Sequence, residues 1–119
     1  MTRSPLRIAV VGGSLGGLTA ACLLRDAGHD VTVYERSPSE LEERGAGIGL
    51  LEDTQRYLVQ RMGVPLGDIA VPTRVVRYLH RDGSAVHETD RTYHFSSWTT
   101  VYRLLLRHWG RDRYRLGHE

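Results

Sequence analysis

One stretch limits the possible fold more than any other: Arg7-Ile8-Ala9-Val10-Val11-Gly12-Gly13-Ser14-Leu15-Gly16-Gly17-Leu18-Thr19-Ala20-Ala21. An apolar, β-type run enters a glycine cluster, and the cluster opens directly into a helix of small residues. A strand that turns this sharply into a helix has the form of a dinucleotide-binding turn. Gly12 permits the bend. Gly17 lets the helix lie close to the strand. The middle position, where a pyrophosphate approaches the backbone, holds Ser14 in place of glycine. Its side chain is small, and its hydroxyl can bond a phosphate oxygen. Gly12, Gly13, Ser14, Leu15, Gly16 and Gly17 are therefore the candidate phosphate-binding residues. Their free N–H groups and the positive end of the helix macrodipole attract anions.

The next residues complete a βαβ pattern. Arg7 to Val11 is short, apolar and bounded by Pro5 and Gly12, so it reads as a buried strand. A helix is expected from Gly16 to Ala27, with Leu15, Leu18 and Cys22 on one face. Ala20, Ala21 and Leu23 lie beside that face, and Arg25 and Asp26 are left to solvent. Gly28 suits the left-handed position that ends a helix. Asp30-Val31-Thr32-Val33-Tyr34-Glu35 is rich in β-branched residues and reads as a second strand. Strand, helix and strand close within residues 6–35, the length of one βαβ unit, which implies parallel strands and a right-handed crossover. Glu35 falls 23 residues after Gly12. A carboxylate there accepts hydrogen bonds from ribose hydroxyls and repels a 2′-phosphate, which disfavours NADP. The turn itself does not separate FAD from NAD.

Beyond this unit the signals are weaker. Residues 36–63 hold a polar break, a short helical turn at 41–44 and a glycine-rich passage, Gly45-Ala46-Gly47-Ile48-Gly49-Leu50. A helix follows from Asp53 to Met62, capped by Asp53 or Thr54 and ended by Gly63. Val64 to Pro72 reads as a connector. Residues 73–95 form a hairpin region, with strands at 73–80 and 84–88 around Asp82-Gly83 and a third at 93–95. A helix is expected at 99–109. A last strand at 113–116 is expected to have little to pack on.

Composition removes several function classes. The chain has 119 residues, enough for one domain or part of one. Its charge is +2, with all 16 basic residues arginine, and acidic residues are interspersed throughout. No basic stripe results, so nucleic-acid binding is not expected. The single cysteine, Cys22, excludes an internal disulfide and suits a reducing cytoplasm. No apolar run has the length of a signal peptide or a membrane span. His80, His87 and His94 recur every seven residues. On strands that spacing alternates faces, so no metal site is expected. No serine, histidine and acid are arranged as a hydrolase triad, and no catalytic residue is assigned.

Three segments carry a family resemblance. They are Val11 to Ala21, Val33-Tyr34-Glu35-Arg36-Ser37 and Arg44-Gly45-Ala46-Gly47-Ile48. Together they resemble the FAD-dependent aromatic-ring monooxygenases, the para-hydroxybenzoate or salicylate hydroxylase type. Within that family the likeness runs most strongly to the 2,6-dihydroxypyridine hydroxylase branch, where serine also occurs in the glycine turn. The resemblance implies an α/β, Rossmann-like FAD/NAD(P)-binding unit with an added β-hairpin. The whole of 1–119 would be the N-terminal part of an FAD-binding domain, truncated relative to the family. It implies FAD as cofactor and NAD(P)H as co-substrate of a complete enzyme that hydroxylates an aromatic or heteroaromatic ring. It further implies that Glu35 holds the adenosine ribose with Arg36 beside the adenine, and that Arg44 and Arg103 meet the cofactor. The family often has an acid where this chain has Leu105. The family's later Asp-Gly and Gly-Asp words and its substrate-binding sheet have no counterpart here. Two other readings stand beside this one: an NAD-dependent oxidoreductase unit, and a non-catalytic truncated dinucleotide-binding domain.

Overall fold

The computed structural model describes residues 4–42 and 45–119. Two compact units emerge, one from the stretch ending at Gly45 together with Thr99–Glu119, the other Ala46–Trp98. The first unit contains β1 (Arg7–Val11), α1 (Leu15–Asp26) and β2 (Asp30–Tyr34). β1 and β2 are parallel, with Ile8 opposite Val31 and Val10 opposite Val33. α1 packs on both strands. Its buried residues are Leu18, Ala21 and Cys22, spaced three and four apart as one helical face requires. Val31 and Val33 are buried as well. Each such aliphatic side chain contributes about 1.5–3 kcal/mol when fully buried. Ala20 and Leu23 are exposed, so the covered face is narrower than the sequence suggests. Gly28 has φ +90°, and its N–H donates to the Arg25 carbonyl, which ends α1 as expected.

Arg25 is not a solvent-facing charge. Its guanidinium donates to the carbonyls of Trp109 (3.0 Å) and His108 (3.3 Å) and stacks over the Trp109 ring at 4.8 Å. A cation here satisfies carbonyls that a helix C-terminus leaves open. That helix buries Val101, Tyr102, Leu105, Leu106 and Trp109 along one stripe.

The last strand also departs from expectation. Tyr114–Arg115 pairs in parallel with β2, with Tyr114 opposite Val33. The sheet order is thus β1, β2 and then this strand, and Tyr114 is buried. The final strand finds a partner on one side because β2 offers it a free edge. β1, read above as buried, is instead largely open. Arg7, Ala9 and Val11 are exposed, Val11 at 89%. It lies at the sheet edge, and the face carrying these three residues is uncovered among the described residues.

The second unit is antiparallel. β3 (Gly47–Leu50) and β4 (Val71–Thr73) flank β7 (Tyr93–Ser97), while β5 (Val76–Leu79) and β6 (Ala85–Thr89) form a separate hairpin. The hairpin turn holds Gly83 at φ +87°, and the Asp82 carboxylate accepts from the Ser84 N–H. The glycine-rich passage is therefore partly strand, because Gly47–Leu50 finds a partner in Ser97–His94. The expected helix after it is α2 (Glu52–Arg56), which continues as a π-helical stretch, Tyr57–Arg61. Leu51 occupies its N-cap position with no side-chain cap, and Asp53 instead pairs with Arg56. The connector carries a short helix, α3 (Leu66–Ile69). The remaining two elements are α4 (Trp98–Trp109) and β8 (Tyr114–Arg115). A helical turn expected at 41–44 falls partly outside the described residues. Among those described, Leu41 and Glu42 are not helical. Among the described residues, no helix is long and apolar enough to cross a membrane.

Candidate functional site

The glycine turn and the end of β2 meet through one carboxylate. Glu35 follows β2 directly and is only 7% exposed. Its Oε2 accepts the Gly13 N–H at 2.8 Å and its Oε1 accepts the Ser37 N–H at 2.9 Å. A carboxylate has about four lone-pair sites, so roughly two remain for other donors. The backbone around Glu35 is also held. Its N–H donates to the Arg115 carbonyl (2.8 Å), and its carbonyl accepts the His118 N–H (3.0 Å).

The glycines have different physical reasons. Gly12 has φ +103°, a conformation that side chains strain. A Cβ on Gly17 would lie 1.7 Å from the Gly12 carbonyl oxygen, so this position accepts only glycine. A Cβ on Gly13 would lie 2.5 Å from the Tyr114 hydroxyl. A Cβ on Gly16 would meet nothing within 4 Å. Ser14 is the N-cap residue of α1 in extended conformation, and its side chain makes no capping bond. No acidic residue lies in the first turn. The positive end of the helix is therefore free of a competing carboxylate.

A buried line of hydrogen bonds approaches the turn from behind. The Leu41 N–H donates to the Tyr102 hydroxyl at 2.9 Å. The Tyr102 and Tyr114 hydroxyls are 3.1 Å apart, and Tyr114 donates to the Gly13 carbonyl at 2.7 Å. Tyr114 has one proton, spent on Gly13, so Tyr102 is the donor between the two rings. Burial is the main reason that the Tyr114 phenol titrates far above its ordinary value, and the Tyr102 hydrogen bond adds to it.

The structure brings Gly12, Gly13, Ser14, Leu15, Gly16, Gly17 and Glu35 into one place. Arg36 follows at the surface and is exposed. Arg103 pairs with Glu42 at 3.3 and 3.4 Å, both side chains being about half exposed. The geometry thus joins Arg103 to Glu42 and not to the glycine turn. Arg44 lies outside the described residues. Ser37, Tyr102 and Tyr114 were not candidates in the sequence. A two-residue strand carries no periodic signal, and a tyrosine 101 positions from Gly13 has no local mark of that contact. Among the described residues, no group of three His, Cys, Asp or Glu is placed to hold a metal.

Comparison with known proteins agrees with this geometry. Residues 10–39 match the family model of an NAD(P)-binding Rossmann-like domain. The chain is 44% identical over 109 residues to 2,6-dihydroxypyridine 3-monooxygenase of Paenarthrobacter nicotinovorans, covering 91% of this chain and 27% of that protein. The solved structure of 2,6-dihydroxypyridine-3-hydroxylase from Arthrobacter nicotinovorans superposes with a TM-score of 0.84 at 43% identity, over 93% of this chain and 28% of that one. Klebsiella pneumoniae HpxO, solved with FAD and uric acid, gives a TM-score of 0.68 at 25% identity, over 98% of this chain and 32% of that one. By sequence and by fold, the chain is a relative of 2,6-dihydroxypyridine 3-monooxygenase, matching it over nearly all of its own length and about a quarter of that protein's.

Proposed function

We propose that this chain binds the adenosine diphosphate portion of FAD, as the cofactor-binding part of a monooxygenase acting on an aromatic or heteroaromatic ring. The observation that carries this reading is the Glu35 carboxylate, buried at the end of β2 and tied to Gly13 at the mouth of an uncapped helix. The residues present fit the cofactor. Glu35 keeps lone pairs for the two ribose hydroxyls. The N–H groups of Leu15, Gly16 and Gly17 stand at the start of α1 for the pyrophosphate, and Gly16 has open space where a Cβ would be. Ser14 adds a hydroxyl that no capping bond occupies. The family resemblance assigns Arg36 to the adenine and Arg44 and Arg103 to the cofactor; of these, Arg36 is exposed directly after Glu35, Arg103 pairs with Glu42, and Arg44 lies outside the described residues.

FAD, when bound, supplies the redox chemistry by which NAD(P)H and oxygen hydroxylate an electron-rich ring. The chain's own residues hold and orient it. The substrate, an aromatic small molecule in the complete enzyme, is met by parts that these residues do not include. The single, buried Cys22 suits a complete enzyme in the cytoplasm.

The test is a visible spectrum of the purified chain after incubation with FAD and desalting. Flavin absorbance that survives desalting is expected. A colourless protein that binds NADH tightly would overturn the FAD reading in favour of an NAD-dependent unit. A colourless protein that binds neither would leave a non-catalytic domain.

A further inference from the structure

We infer that Tyr114 is a positioning residue for the dinucleotide turn, holding Gly13 so that its neighbouring N–H groups face the pyrophosphate. This rests on the proposed adenine-dinucleotide site. Gly13 is gripped on both sides of its peptide. Its N–H goes to Glu35 at 2.8 Å, and its carbonyl takes the Tyr114 proton at 2.7 Å. The two partners come from adjacent strands, since Glu35 follows β2 and Tyr114 opens β8. The residue between the sharp bend at Gly12 and the N-cap at Ser14 is thus fixed by groups outside the turn.

The Tyr114 ring also explains the glycine. A Cβ at position 13 would overlap the hydroxyl, Cε2 and Cζ of Tyr114, at 2.5, 2.6 and 2.7 Å. Gly13 and Tyr114 therefore constrain each other. The donor direction is set as well. Leu41 N–H, Tyr102 and Tyr114 donate in one sense and end on Gly13, so each bond polarises the next. Tyr102 is fully buried and Tyr114 is 6% exposed, which keeps water from replacing either hydroxyl.

Two single-atom deletions separate positioning from stability. Tyr114→Phe keeps the buried ring and removes the bond to Gly13. Tyr102→Phe removes a bond of the same network but leaves Tyr114 on Gly13. Binding of ADP is measured by calorimetry, with thermal melts of the same samples and the Gly13 amide resonance as the local readout. Both variants are expected to melt lower than the unaltered chain. Only Tyr114→Phe is expected to lose affinity, by about tenfold, the scale of one lost hydrogen bond, and to move the Gly13 resonance. Tyr102→Phe should stay within about twofold. Equal affinities in the two variants overturn the inference, as does a Tyr114→Phe chain that fails to fold, since the role would then be structural. Absence of ADP binding by the unaltered chain instead removes the nucleotide reading beneath it.

Discussion

At the scale of single residues, the glycine turn divides into positions that serve the fold and one that does not. Gly17→Ala would place a Cβ 1.7 Å from the Gly12 oxygen, so the strand-to-helix packing must open. We expect this variant to lose cooperative melting. Gly16→Ala meets nothing within 4 Å and lies in the helix, so thermal melts should show it more stable by about 0.5–1 kcal/mol. The same substitution should weaken ADP binding, because it fills the space left for the phosphates. Higher stability with unchanged affinity would place the ligand elsewhere. Glu35→Ala orphans the Gly13 and Ser37 amides in a buried site. Urea melts should show a loss of about 1–3 kcal/mol for each amide left without a partner. Tyr114 adds a pH dependence. Its folded phenol titrates above the ordinary value of 10.0, chiefly through burial, so the unfolded chain ionises first as pH rises. Stability from this group is complete below pH 10 and declines above it. Melts across the alkaline range should show that decline, and Tyr114→Phe should flatten it.

At the scale of elements, the legible parts of the sequence were those with local causes. β1, α1 and β2 each carry their own signal: apolar β-branched runs, small residues at helical spacing, and Gly28 to stop the helix. The Asp82-Gly83 turn announced its hairpin in the same way. The contacts that tie distant elements together had no such mark. Gly47–Leu50 became strand because β7 offered it a partner, not because glycine favours strands. Tyr114 was absent from the candidate site because its contact with Gly13 spans 101 positions. Glu35 was legible because the distance from turn to carboxylate is fixed by one helix and one strand. Arg25 shows the cost of reading charge from the helix alone, since it closes the end of α4 and stacks on Trp109. Arg25→Ala should therefore lower the melting temperature, by an amount corresponding to about 1–2 kcal/mol for a bond and a ring contact together. A melt unchanged by this substitution would mean that α4 ends without that support.

At the scale of the whole molecule, two facts bear on behaviour in solution. The chain spans 27% of the curated relative described above. Its parallel sheet shows Arg7, Ala9 and Val11 on an open face, although parallel sheets are ordinarily covered on both. Val11, at 89% exposure, is the largest apolar contribution to that face. We expect the isolated chain to self-associate with rising concentration in sedimentation, and Val11→Asp to reduce this while changing stability by no more than about 0.5 kcal/mol. The placement of Tyr114 has a further consequence in time. The glycine turn leaves the ribosome 101 residues before the hydroxyl that clasps it. Closing so distant a contact is slow compared with forming α1. A nascent chain that stops before Tyr114 carries the complete glycine motif without its clasp. The motif is thus made well before the residue that secures it, and nucleotide binding by a nascent chain should tighten about tenfold once Tyr114 has emerged and closed on Gly13.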